Sequence, residues 1–126
     1  MSDDPRQRIQ TKKIHAAPAP QDGQRILVER LWPRGVSKTA AALDCWEKRI
    51  APSPELRKWY AHEPQRWPEF QRRYRAELAS LEEELEPLLE AARKGRLTLL
   101  FSTRDEERNS AQVLREAMIE RLEREG

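Results

Sequence analysis

The chain has 126 residues, of which 37% are hydrophobic and 37% are charged, and its formal net charge is only +2. A chain of this length fits one domain with a real core, and its interspersed charges argue against a protein whose whole surface binds nucleic acid. Because it has one cysteine, no start resembling a signal peptide and no apolar run near the roughly 20 residues that span a membrane, we expect a soluble cytoplasmic protein.

The first elements predicted are two strands joined by a loop. Residues 1–7 are expected to form a flexible tail, and residues 8–126 a single domain. A weak strand near 8–14 leads into a loop rich in proline, and a stronger strand follows near 25–31. Pro33 ends this second strand, because proline cannot donate a hydrogen bond to a central ladder.

Helical patterns occupy most of the chain between this strand and the next. Ser53 is a capping residue followed by Pro54 at the first helical position, so a helix is expected to begin there. Apolar residues then recur at intervals of three and four, which predicts one long helix near 68–92. We expect Pro87 to kink or break this helix near its end. Its apolar face consists of Phe70, Tyr74, Leu78, Leu81, Leu85, Leu88 and Ala92.

The last two elements are a strand near 97–101 and a helix near 109–123, for which Asp105, Asn109 or Ser110 could serve as the cap. The strand is an almost continuous apolar run, typical of strands buried on both faces. A helical crossover joins the strands near 25–31 and 97–101, so they are predicted to run parallel. The predicted fold class is therefore α/β, a small, at least partly parallel sheet covered by helices. Its strands would end at one edge, where open α/β sheets bind ligands.

Arginines follow both strands at this edge. Arg30, Arg34 and Arg104 are expected to converge there, and each would present a planar fork that matches phosphate or carboxylate. Gly35 would let the backbone approach a ligand closely. The predicted ligand-binding residues are Arg30, Trp32, Arg34, Gly35, Ser102, Arg104 and Asn109. Alternatively, the arginines are structural and pair with local carboxylates such as Glu29, Asp105 or Glu106.

Three side chains are candidates for an acid or a base, and each has a structural alternative. Glu29 shares a strand face with two leucines, and it would either exchange a proton or anchor Arg30 or Arg104. Asp105 would act as a base or metal ligand, or cap the last helix. His62 lies in a turn between helices, where a histidine is more often a surface residue than a catalyst. We predict no metal site and no cofactor, because the sequence has no Cys/His cluster with metal-ligand spacing.

Motifs related to these segments extend over nearly the whole chain. They are Asp22-Gly23, the run from Arg25 to Lys38, the run from Ala51 to Lys58, Trp67, Phe70 and Tyr74, and finally the run from Leu97 to Asp105 with Asn109. Together they resemble the YeaO-like family of bacterial domains of unknown function, so the resemblance implies no particular activity. The family pattern has aspartate at position 29 and often a histidine near residues 108–110. This chain departs from that pattern at both places, and the missing histidine counts against a mechanism that uses a histidine base or metal ligand at that edge.

Three functions are compatible with such an edge. The first is binding, with or without turnover, of a small anionic ligand such as a nucleotide or phosphorylated metabolite. The second is a structural or protein-partner-binding module without a ligand. The third is binding of nucleic acid, with an affinity that falls steeply with salt. A cavity with unpaired guanidinium groups would favour the first, fully paired arginines the second, and a flat positive face the third.

Overall fold

The sheet is parallel throughout the part of the chain that the structure, a computed structural model, describes, which is residues 4–125. Its strands are β1 (Ile9–Lys13), β2 (Gln24–Leu27), β3 (Cys45–Trp46) and β4 (Leu97–Phe101), in the order β1-β4-β2-β3. Strand β4 pairs with β1 on one side and with β2 on the other, where Ile26 lies opposite Leu99. The predicted α/β class and the parallel pairing of β2 with β4 are confirmed.

Six α-helices accompany the sheet within the described residues. They are α1 (Pro5–Arg8), α2 (Lys38–Ala41), α3 (Pro54–Tyr60), α4 (Trp67–Ala79), α5 (Glu82–Lys94) and α6 (Ser110–Glu125). The predicted C-terminal helix is confirmed as α6. Residues 1–7 were expected to form a flexible tail, and residues 1–3 of this segment lie outside the described residues. Helix α1, which includes residues 5–7, contacts α6: the Arg6 carbonyl accepts a hydrogen bond from Arg115 at 2.8 Å.

The helix expected near 68–92 is divided into two. The break falls at Ser80 and Leu81, where the backbone leaves helical geometry and the Ser80 hydroxyl donates to the carbonyl of Glu77 at 2.7 Å. A serine hydroxyl that bonds to a preceding carbonyl competes with the helical ladder. Pro87, which was expected to kink or break the helix, instead lies inside α5. The apolar face nevertheless stays buried on both sides of the break, at Tyr74 and Leu78 and again at Leu85 and Leu88.

Both faces of the sheet are covered, as a parallel sheet requires. The larger core packs α3 to α6 on one face and includes Ile26, Tyr74, Leu99 and Leu114. A smaller core on the other face contains Ile14, Leu27, Ala41 and Leu100. No helix in residues 4–125 combines the length and the apolar character needed to cross a membrane. The cytoplasmic location stays a prediction.

Strand β2 is shorter than its predicted range of 25–31. Its last paired residue is Leu27, although the Val28 amide still donates to the Leu100 carbonyl at 3.3 Å. The next strand along the chain is the short strand β3, which the sequence pattern did not predict. Its Trp46 indole donates to the Glu29 carbonyl at 2.6 Å. This bond ties the segment after β2 to the end of β3.

Candidate functional site

A cavity of about 860 Å³ lies at the edge of the sheet where β2 and β4 end. Its volume is in the range of small-molecule sites. Three segments form its wall: the residues after β2, the residues from Ala51 into α3 and α4, and the residues from the end of β4 to the start of α6. The lining residues are Glu29, Arg30, Leu31, Trp32, Pro33, Ala51, Pro52, Pro54, Arg57, Lys58, Tyr60, His62, Phe70, Ser102, Thr103, Arg104, Asp105, Arg108, Asn109 and Ser110.

Glu29 joins the ends of the two strands at the floor of this cavity. Its carboxylate accepts two hydrogen bonds from Ser102, one from the hydroxyl at 2.6 Å and one from the backbone amide at 3.1 Å. The sequence predicted that Glu29, if structural, would anchor Arg30 or Arg104. The actual partner is Ser102, because the parallel register brings the residue after β4 next to the segment after β2.

A second pair in the chain has the same geometry as Glu29 and Ser102. The carboxylate of Glu77 accepts from the Ser53 amide at 2.8 Å and from its hydroxyl at 2.5 Å, and it thereby fixes the start of α3 to α4. Ser53 and Glu77 are not among the residues that line the cavity. In both pairs the carboxylate holds a serine at the beginning of a new segment, so we interpret Glu29 as a structural clamp.

Arg30 is half-buried between the sheet edge and the start of α3. Its Nη2 donates to the carbonyls of Ala51 and Pro52 at 3.2 and 3.4 Å. Its Nε is buried and has no hydrogen-bond partner, and within residues 4–125 the guanidinium makes no ion pair with a carboxylate. A buried donor without a partner costs free energy, so Arg30 is held in the cavity wall at some cost to the stability of the fold.

Three further cations of the lining have no carboxylate partner within the described residues: Arg57, Lys58 and Arg104. Many arginines elsewhere pair with carboxylates, for example Arg93, which contacts three glutamates on α5 and α6. Arg104 was predicted as a ligand-binding residue, and it does line the cavity. Arg57 and Lys58 were not predicted, although with Pro54 they occupy positions i, i+3 and i+4 of one helix face.

Two of the predicted residues lie outside the cavity. Arg34 and Gly35 form an exposed turn beyond Pro33 and are absent from the lining. Gly35 has a φ of +73°, and a Cβ atom built there would meet no atom within 4 Å. The turn leads the chain away from the sheet edge, so Arg30 and Arg104 are brought together without Arg34.

The segment before α6 is held by its own side chains. Asp105 accepts from the amides of Glu107 and Arg108 at 3.0 and 2.9 Å, and from the Arg108 guanidinium at 2.8 Å. These bonds hold the pKa of Asp105 below its usual value. The helix itself is capped by Asn109, whose side-chain oxygen accepts from the Gln112 amide at 3.1 Å while its amide group donates to the Asp105 carbonyl. Asp105 therefore stabilises the turn, and Asn109 is the cap.

Aromatic residues complete the wall. Trp32 is half-buried and fixed, since its indole donates to the Val36 carbonyl at 2.7 Å and its ring meets that of Trp46 edge to face at 5.3 Å. Tyr60 is 7% exposed, and burial together with the nearby charge of Asp105 raises its pKa. His62 is exposed, with a left-handed φ of +56°. Of these, Trp32 and His62 were predicted candidates, and Tyr60 was not.

Comparisons with known proteins agree on one family. Residues 8–126 match the family model described as the inactive DUF488-N3 subclade. The uncharacterised protein YeaO of Escherichia coli K12 is 47% identical over 106 residues, which cover 84% of this chain and 92% of that protein. Uncharacterised proteins of Mycobacterium tuberculosis and Mycobacterium bovis are 45% identical over 71 residues, 56% of this chain and 60% of theirs. No solved structure matches the chain.

Proposed function

We propose that this chain, which belongs to the family described as the inactive DUF488-N3 subclade, binds a small anionic ligand in the cavity at the sheet edge and does not turn it over. The observation that carries the proposal is the set of four lining cations without a carboxylate partner among the described residues, Arg30, Arg57, Lys58 and Arg104. Guanidinium and ammonium groups that share one concave site attract an anion and bind it with charge-assisted hydrogen bonds.

Binding without chemistry is supported by the state of two of the three acid and base candidates, Glu29 and Asp105. The oxygens of Glu29 are occupied by Ser102, and those of Asp105 by the turn before α6. A general base must lie within hydrogen-bond reach of the proton that it abstracts, and these bonds hold both carboxylates toward donors of the protein itself. The Asn109 side chain is buried and engaged at both ends of its amide. The word "inactive" in the family description points in the same direction.

A thermal-shift titration tests the proposal. We expect phosphate or phosphorylated compounds to raise the melting temperature, because a ligand at a hundred times its dissociation constant adds about 2.7 kcal/mol to the free energy of unfolding. For a domain of this size, that corresponds to several degrees. The test variant is Arg104→Gln, since Arg104 is exposed and its loss breaks no contact within residues 4–125. The matched control is Arg34→Gln, an exposed arginine outside the cavity lining.

The two variants separate specific binding from general charge effects. The shift should be smaller in Arg104→Gln and unchanged in Arg34→Gln. Equal losses in both variants would mean that the anions respond only to net charge. Absence of any shift in the native protein would contradict anion binding and favour the alternative of a protein partner.

That alternative has one specific observation in its favour. Leu31 lines the cavity and is 64% exposed, the one large apolar side chain within residues 4–125 with such exposure. An apolar residue at the rim would suit a contact with another protein. Nucleic acid is less well suited, because the unpaired cations line a concave cavity. Adding a short oligonucleotide to the titration at low and high salt tests this third function.

A further inference from the structure

We infer that the ligand carries two linked phosphoryl groups, so that the cavity is a diphosphate site. The inference rests on the proposed function and adds the chemical class of the anion. It comes from the number of unpaired cations and from their distribution over three separate segments of the chain.

The first argument is the charge of the wall. The lining contains five cations, Arg30, Arg57, Lys58, Arg104 and Arg108, and two carboxylates, Glu29 and Asp105, so its formal charge is +3. This exceeds the +2 of the whole chain, so the positive charge is concentrated at the cavity. A phosphate monoester carries about −1.5 to −2 at neutral pH and would leave part of this charge uncompensated. A diphosphate carries additional charge in the same small volume.

The second argument is the arrangement of the cations. Arg30 follows β2, and its guanidinium touches the carbonyls of Ala51 and Pro52, directly before α3. Arg57 and Lys58 lie one turn further along α3, on the face that lines the cavity. Arg104 comes from a third segment, between β4 and α6. A single phosphoryl group presents its acceptor oxygens around one phosphorus atom, whereas a diphosphate presents them around two linked phosphorus atoms and can therefore meet donors from separate segments.

The cavity has room for more than the diphosphate itself. Its volume of about 860 Å³ is near the upper end for small-molecule sites, and its wall includes Leu31, Trp32 and Pro33. The diphosphate group could thus belong to free pyrophosphate or to an organic ester whose apolar part contacts these residues. Both sources share the chemistry that Arg30, Arg57, Lys58 and Arg104 recognise.

Isothermal calorimetry with inorganic phosphate, pyrophosphate and adenosine diphosphate tests the inference. We expect pyrophosphate to bind at least about tenfold more tightly than phosphate, because it gains additional charge-assisted hydrogen bonds. A further gain with adenosine diphosphate would identify an organic ester as the natural ligand, and equal affinity would identify the diphosphate alone. The double variant Arg57→Gln/Lys58→Gln should lose most of the preference for pyrophosphate, because its affinity for pyrophosphate falls further than its affinity for phosphate.

The outcomes distinguish this inference from the proposed function. Equal affinities for phosphate and pyrophosphate in the native protein would overturn the diphosphate site and leave anion binding intact. A preference that persists in the double variant would also overturn it, since α3 would not contact the second group. Lack of heat with every anion would contradict both proposals. Arg34→Gln is the control, and circular dichroism melts verify that each variant is folded.

Discussion

A buried charged group in this protein either is bonded within the fold or remains available to a ligand, and its hydrogen-bond partners decide between the two. Asp22 is 2% exposed and Arg25 is 4% exposed. The Asp22 carboxylate accepts from Arg25 at 2.6 Å and from Lys12 at 3.0 Å, and Arg25 also donates to carbonyls at the end of α2. This network satisfies its donors and acceptors. Arg30 differs because its buried Nε has no acceptor.

The Asp22 network makes stability depend on pH. Burial raises the pKa of Asp22, but hydrogen bonds from Lys12, the Ala19 amide and Arg25 outweigh burial, so the pKa is lowered. A carboxylate with a lowered folded pKa contributes stability above its unfolded pKa of about 3.9, and this stability is lost as pH falls through the folded pKa. Asp22→Asn should therefore lower the free energy of unfolding by about 3–5 kcal/mol at neutral pH, since Arg25 stays buried without its counter-charge.

Urea unfolding of the native protein and of Asp22→Asn across the acid range checks this prediction. The difference between them should narrow as pH falls below about 4, because Asp22 is protonated first in the unfolded chain and only at lower pH in the folded protein. Glu86→Gln is a suitable control, since Glu86 pairs with Arg93 at the exposed surface and such pairs contribute little. A difference that does not depend on pH would show that the charge of Asp22 is not the cause.

At the scale of elements, turns and breaks set the geometry that the regular patterns leave open. The Gly23 turn positions β2 against β4, because the Gln24 amide donates to the Arg96 carbonyl at 3.1 Å. Gly23 has a φ of +62°, and a Cβ atom there would lie 2.2 Å from the Arg96 carbonyl oxygen. Glycine is thus required for two reasons, its backbone conformation and the close approach of the next strand.

Substitution of the two glycines with positive φ separates these reasons. Gly35→Ala has space for its methyl group, so it should cost only the left-handed conformation, about 1–2 kcal/mol. Gly23→Ala adds a clash with backbone and should cost at least about 1–3 kcal/mol more. Chemical denaturation of both variants measures the difference. Equal losses would mean that the turn before β2 shifts freely, in which case it does not control the register of β2 and β4.

The division of the predicted long helix has a related cause. The spacing of apolar residues indicates which face of a segment is buried, and this buried face continues from Tyr74 through Leu78 to Leu85. The spacing does not indicate whether the backbone between these residues stays helical. The local bond from the Ser80 hydroxyl to the Glu77 carbonyl decided that question. The strand β3 also escapes prediction from the sequence, because it has two residues and so short a strand cannot show an alternation of apolar and polar residues.

On the scale of the whole molecule, the charges are distributed unevenly. The helices α4 to α6 bring their arginines next to glutamates, as in Arg75 with Glu120 and Arg121 with Glu82. The cavity contains Arg57 and Lys58 together with other cations, and neither side chain has a carboxylate partner in the described part of the chain. Like charges in one site repel each other, so the empty cavity should lower the stability of the fold in return for ligand affinity.

This trade-off predicts that loss of binding residues stabilises the free protein. Without ligand and at low ionic strength, Arg57→Gln/Lys58→Gln should raise the free energy of unfolding by roughly 0.5 kcal/mol. Added salt should reduce the difference, because it screens the repulsion in the native protein. Thermal melts at low and high salt measure both effects. Arg72→Gln/Arg73→Gln is the matched control on α4, where both arginines pair with Glu69 and no gain is expected.

The sequence alone determined the α/β class, the parallel pairing of β2 with β4 and the edge at which the cavity lies. These features follow from the burial pattern of single segments and from the geometry of a helical crossover, so local information is sufficient. The same argument placed Arg30, Trp32, Ser102 and Arg104 at the cavity.

Tertiary structure alone decided which groups meet within that edge. It gave Glu29 the Ser102 hydroxyl as its partner, left Arg30 without a carboxylate among residues 4–125, and placed Arg34 outside the lining. It also added Arg57 and Lys58 from a helix whose orientation the sequence does not specify. Contacts of this kind join residues far apart in the chain, and side-chain distances of a few ångströms depend on packing that no local pattern encodes.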